Sequence, residues 1–267
     1  MKEIYKYSEL LGQLNDNSIE TVDLEGKHLR DEDIAILAYH YLSKNTSVKT
    51  VNLARNQITG DGCMYCLCSA VKENKNIETL LLWGNKIGRD GAVHIANFLR
   101  HNPPLKALHL GWNEIGDDGV RYIAEALRHN NTLEELNLRN NGIQTWGAIK
   151  LAESLECNNT LQLIHMEDNR IGSDGAYAMA DALEKNNSIQ EAFLKLNRVG
   201  GMHKWVIKER MDRKPYIFRT ERIERGGMQI FTCLVKNKLK RKGIIKRLLR
   251  DICKTHTLTK YKRTVKI

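Results

Sequence analysis

The sequence predicts an α/β solenoid: strand–turn–helix units stacked so that a parallel sheet lines one side and helices the other. Three observations carry this. Between residues 47 and 199 an apolar strand frame closed by asparagine recurs every 28 or 29 residues, and periods in that range mark stacked repeats. Between frames, a small-x-x-large-small-x-x-large stripe recurs at the same period, the spacing of one buried helix face. Helices are ~10 Å wide, whereas strands pair ~4.8 Å apart. The stack must therefore bend into a horseshoe with the sheet inside.

Taken in order, residues 1–16 form an N-terminal capping segment. Residues 17–200 then hold about seven units. The first is degenerate: Ile19, Val22, Leu24 and Leu29 keep the frame, but Lys27 stands where asparagine belongs. The second reads Val48, Val51, Leu53, Asn56 and Ile58, and the third Ile77, Leu80, Leu82, Asn85 and Ile87. The frame continues through Asn113, Asn141 and Asn169 to Ile189, Ala192, Leu194, Asn197 and Val199. This asparagine column is expected to satisfy backbone groups where the chain leaves each strand.

The helical halves run from Gly91, Gly119, Gly147 and Gly175, with alanines that let the helix sit close to its strand. Asp61, Asp90, Asp118 and Asp174 precede the glycines and read as N-caps. Trp146 takes that place in one unit, as a second contact or as local packing. A second asparagine column (Asn45, Asn74, Asn102, Asn130, Asn158, Asn186) suits a left-handed turn at each helix end. Aligned on these glycines, Cys63 takes the small helical position and Cys66 the large one, so Cys63-x-x-Cys66-x-Cys68 reads as core rather than metal ligands.

Past residue 200 the frame stops. Residues 202–211 read as a helix ended by Pro215, and 216–220 with 228–235 as a hairpin around Gly226-Gly227, together a C-terminal cap over 201–235. Residues 236–267 form a basic amphipathic tail, with Ile244, Ile245, Leu248, Leu249 and Ile252 at helical spacing among lysines and arginines. That tail can dock on the solenoid's end. Alternatively, residues 236–266 bind an anionic membrane or nucleic acid, or direct the chain to the nucleus. Charge follows this division. Residues 1–200 hold 21 Lys/Arg against 27 Asp/Glu, a net of −6, while residues 201–267 hold 21 against 5, a net of +16. The basic pI describes the tail, so it does not make the repeat body a nucleic-acid binder.

The frames and stripes quoted above resemble the ribonuclease-inhibitor-like leucine-rich repeats. The resemblance covers roughly residues 17–200 and implies a leucine-rich repeat horseshoe with a basic C-terminal extension. It includes ribonuclease inhibitor, the sensing ends of immune receptors, tropomodulin-type actin regulators and the activator of the Ran GTPase. It thereby implies a non-enzymatic scaffold that binds a protein on its concave face. A GTPase activator resembling the Ran-directed member is the alternative, against which stand the shorter array and the basic tail.

Three columns point into the concavity: Asp23 to Phe193, Glu25 to Lys195, and Gly26 to Leu196. Within them Leu81, Trp83 and Trp112 form an apolar anchor ringed by His109, Asn137, Arg139, His165 and Glu167, the residue types enriched at binding hot spots being tryptophan and arginine. His109 and His165 share a column but start ~9.6 Å apart, too far for one zinc ion with ligands at ~2.0–2.1 Å. No phosphate-cradling loop, nucleophile elbow or metalloprotease motif occurs. No cofactor, metal or small-molecule substrate is expected. The scattered cysteines and the polar N-terminus fit a reducing setting, cytoplasmic or nuclear.

Overall fold

A computed structural model of the chain describes residues 2–199 apart from 61 and 198. The expected C-terminal cap at 201–235, the basic tail at 236–267 and the capping role of Asp61 lie outside the described residues. The chain opens with a 3-10 turn, Glu3–Tyr7, and α1, Ser8–Asn15. Seven three-residue strands follow: β1 (Thr21–Asp23), β2 (Thr50–Asn52), β3 (Thr79–Leu81), β4 (Ala107–His109), β5 (Glu135–Asn137), β6 (Leu163–His165) and β7 (Glu191–Phe193). They form one parallel sheet in chain order. Between them run α2 (Asp31–Ile36), α3 (Cys63–Glu73), α4 (Gly88–Leu99), α5 (Gly116–Leu127), α6 (Thr145–Leu155) and α7 (Gly172–Lys185). No helix among the described residues is long and apolar enough to cross a membrane.

Each strand buries its middle residue (Val22, Val51, Leu80, Leu108, Leu136, Ile164, Ala192) against the helices and leaves its first and third on the open face. The first asparagine column is a ladder between units. Asn141 donates to the carbonyls of Leu110 (2.8 Å) and Arg139 (3.1 Å), and its Oδ1 accepts the amides of Asn113 (3.2 Å) and Ile115 (3.3 Å). Asn56, Asn85, Asn113, Asn169 and Asn197 repeat this pattern.

The second column is not a row of left-handed turns. Asn74 and Asn186 are extended. Apart from Asn102 the column is buried, and it builds a second ladder. Asn158 donates to the carbonyls of Leu127 (2.7 Å) and Asn130 (2.9 Å) and accepts the amides of Thr160 (3.0 Å) and Leu161 (2.8 Å). Asn102 alone in the column is left-handed, at φ +49°. The residue two further on is Pro104, which has no amide for Asn102 to accept, and its Oδ1 instead takes the amide of Asn131 (2.9 Å).

Two further expectations need correction. Asp90, Asp118 and Asp174 are not N-caps. The helices open two residues earlier, on Gly88, Gly116 and Gly172, which have positive φ. The aspartates thus sit in the first turn, where they still favour the helix dipole. Cys66 does not take the large core position. Residues 59–62 carry one residue more than the equivalent loops, so α3 is shifted: Leu67 fills the large position and Cys68 the small one, while Cys66 is half-exposed. Cys63 stands where the other helices have glycine. A Cβ on Gly119 would meet that of Ala92 at 3.1 Å, and one on Gly175 that of Ala148 at 3.0 Å. The glycines therefore seat each helix on the helix before it, not on its strand.

Candidate functional site

The open face of the sheet collects the residues singled out in the sequence. Leu81, His109, Asn137 and His165 are successive Cα partners across β3 to β6. Trp83 leaves β3 half-buried, and the Arg55 guanidinium lies 4.4 Å from its ring centroid. Trp112 leaves β4 with 52% of its surface exposed. Trp83 and Trp112 make no ring contact with each other among the described residues. Between them lie Gly84 and Gly111, joined by an amide-to-carbonyl bond of 2.8 Å. A Cβ on Gly111 would meet Asn137 Oδ1 at 3.2 Å and one on Gly84 would meet Arg55 at 3.4 Å. The two glycines thus put no side chain of their own between the indoles, and Asn137 and Arg55 border the space beside them.

Backbone conformation sets this face apart. The residue after Trp83's column is left-handed in every unit: Gly26, Arg55, Gly84, Trp112, Asn140, Asp168 and Leu196. Glycine, asparagine and aspartate take that conformation readily, whereas other residues strain by ~1–2 kcal/mol. Arg55, Trp112 and Leu196 stand there against backbone preference, and Leu196 is 58% exposed.

The rest of the set is polar and internally paired. Two nitrogens of Arg139 reach Asp168 Oδ2, at 2.8 and 2.5 Å. Asn137 Oδ1 accepts the Arg139 amide at 3.0 Å. His165 stacks flat on Phe193, ring centroids 4.5 Å apart, and its Nδ1 lies 3.5 Å from Glu167. Glu167 Oε2 is buried without a hydrogen-bond partner. His109 Nε2 lies 2.9 Å from Glu135 Oε1. Burial outweighs that carboxylate and the imidazole's pKa falls below its ordinary value, so His109 is uncharged at neutral pH.

Two contributors lie outside the expected set, Arg55 in the third column and Glu135 in none. Arg55 covers one face of Trp83, and Glu135 partners His109. Strand alternation carried one step further would have found Glu135, because the first and third strand residues share a face. Trp146 lies in the first turn of α6, 43% exposed. Elsewhere, Cys63 Sγ lies 3.1 Å from Asp31 Oδ1, and burial raises its pKa, while burial pushes Cys68 up to about 12. Both thiols are thus protonated at neutral pH. Among the described residues no group of three or more His, Cys, Asp or Glu could hold a metal ion.

These repeats match a family model described as Leucine Rich repeat at residues 44–65, 101–124, 129–152 and 157–180. The described residues fold as a leucine-rich-repeat solenoid. Human Centrosomal protein of 78 kDa is 32% identical over 93 residues, which take in 34% of this chain and 13% of that protein. The mouse protein of that name is 31% identical over 83 residues, 31% of this chain and 10% of its own length. The chain thus spans only a small part of the curated relatives it matches. Among solved structures, Leiomodin-1 Actin-Binding Site 2 has a TM-score of 0.47 at 18% identity, covering 78% of this chain and 95% of that one. The tropomodulin C-terminal domain of Caenorhabditis elegans has a TM-score of 0.44 at 13% identity, covering 78% and 98%.

Proposed function

We propose that the chain is a non-catalytic protein-interaction scaffold of the ribonuclease-inhibitor-like type, working in the cytoplasm or nucleus, and that it holds a protein partner on its concave sheet face. Trp83 and Trp112 are the anchors. The observation that carries this is Trp112 itself. It has a large apolar side chain, half exposed, on a backbone conformation that disfavours it. Neither the core nor the asparagine ladders need it. The most direct account of a residue that costs the fold stability is contact with something outside the fold. Tryptophan is also the side chain most enriched where interfaces concentrate their energy.

The test separates stability from binding. Trp112→Asn installs the residue that Asn140 already supplies at the same place in the next unit. Its melting temperature should hold or rise, because ~1 kcal/mol of backbone strain is relieved. Pull-down from lysate beside the intact chain should lose one protein, with its affinity down about tenfold or more. Equal recovery by both chains, confirmed with the Trp83→Ala/Trp112→Ala double variant, would remove the anchor assignment.

A further inference from the structure

The face that holds the tryptophans is unevenly charged, and the unevenness has a direction. Each unit presents four residues there: the first and third of the strand and the two at its exit. Among these, Asp23, Glu25, Glu135, Glu167, Asp168 and Glu191 are carboxylates, against three cations, Arg55, Arg139 and Lys195. Arg139 is already spent on Asp168, and Arg55 lies over Trp83 with its Nε 3.6 Å from Glu25. Asp23 accepts only amide donors, from Asn52 and from Glu25's backbone. The imidazole facing Glu135 is uncharged at neutral pH.

Surplus negative charge therefore flanks the two tryptophans on both sides: Asp23 on β1, Glu135 and Glu167 on β5 and after β6. At ~4.8 Å per strand, Glu135 lies ~7 Å and Asp23 and Glu167 ~12 Å from the midpoint between β3 and β4, where the tryptophans stand. A ligand laid across the strands meets negative, apolar and negative ground in turn. A nucleic acid or an anionic bilayer is repelled by that pattern, whereas a cationic peptide is drawn to it.

Resting on the scaffold reading above, we propose that the occupant is a segment of a partner protein with one aromatic or aliphatic anchor and Lys or Arg on both sides of it. The basic residues stand ~2–4 positions from the anchor if the segment is extended and ~5–8 if it is helical, the numbers that span ~7–12 Å in each form. The anchor packs against Trp83 and Trp112, and the flanking cations meet Asp23 on one side and Glu135 and Glu167 on the other.

The probe is a phage-displayed library of random peptides long enough to cross the sheet. It is panned on the intact chain and on two variants of matched melting temperature, Trp83→Ala/Trp112→Ala and Asp23→Asn/Glu135→Gln. Peptides kept by the intact chain and lost by the tryptophan variant should carry the basic–apolar–basic pattern. They should bind the charge variant about three- to tenfold more weakly and lose affinity as salt rises. Retained peptides with acidic or uncharged flanks would overturn this proposal while leaving the concave scaffold standing. Peptides indifferent to the tryptophans, or no peptides at all, would overturn both. Trp112→Asn replaces the double variant if that one fails to fold.

Discussion

At the scale of single residues, the two asparagine columns show what spacing reveals and what it hides. The first was legible because a polar residue at one fixed step past an apolar frame has few other uses than satisfying backbone. The second was misread because asparagine tolerates a left-handed turn, and no local pattern shows a side chain reaching a carbonyl 31 residues back, as Asn158 reaches Leu127. Both ladders predict the same outcome. Asn141→Leu strands two carbonyls and two amides and should cost about 3 kcal/mol in urea unfolding, whereas Asn102→Ala, on the exposed outlier, should cost less than about 1 kcal/mol. Equal losses would mean the ladder is not what holds neighbouring units together. His109 gives a pH dependence. Its folded pKa lies below the unfolded value near 6.5, so the unfolded chain binds more protons as pH falls through that value. Stability should therefore decline as pH drops below about 6.5 and level off under the folded pKa. His109→Gln should flatten that part of a melting-temperature profile. An unchanged profile would deny His109 its share.

At the scale of elements, period fixed the order of strands and helices, but it could not fix their ends. Sequence places each helix start at the aspartate before glycine. The helix opens earlier because Gly88, Gly116 and Gly172 supply the positive φ that turns the chain into it. The extra residue at 59–62 slipped through for a related reason, since a 29-residue step between strand frames conceals a 28-residue step between helices. The candidate face was half legible. Strand alternation placed the eight residues on it, but Arg55 over Trp83 is a diagonal pair across strands that no single column displays. Two glycines make the packing argument quantitative. A Cβ on Gly60 would meet Ile87 O at 2.3 Å and Gly91 N at 2.4 Å, both backbone atoms. Gly60→Ala should cost about 3 kcal/mol, since neither partner can rotate away. Gly12, inside α1, has nothing within 4 Å of its would-be Cβ. Gly12→Ala should instead stabilise by about 0.5–1 kcal/mol through helix propensity alone. Thermal melts of the two variants should move in opposite directions, and a shared direction would reject this packing.

At the scale of the whole array, the strand pairings and both ladders join a unit to its immediate neighbour. Stability of such a stack is a sum of units and nearest-neighbour interfaces, so it can vary along the chain. The described units are not equal. From α4 to α7 the helices keep one register, with Gly91, Gly119, Gly147 and Gly175 each seated against the helix before it. Toward the N-terminus the register breaks. After six residues α2 passes into a π-helical turn at Leu37–Leu42, residues 59–62 carry the extra residue, and Cys63 replaces the glycine. What covers that end is Glu3–Tyr7 with α1, through buried Ile4, Leu11 and Leu14 and through Asp33, which accepts the amides of Ile4 (3.1 Å) and Arg30 (3.0 Å). Opening should therefore begin there and spread toward α4. Hydrogen exchange in sub-denaturing urea should show amides of β1 and β2 losing protection before those of β4 and β5. Asp33→Ala, by leaving those two amides unpartnered, should speed exchange in residues 2–60 about tenfold or more while residues 107–165 keep their rates. If the two regions respond together, to urea and to the substitution alike, the described units open as one cooperative block and the nearest-neighbour account fails.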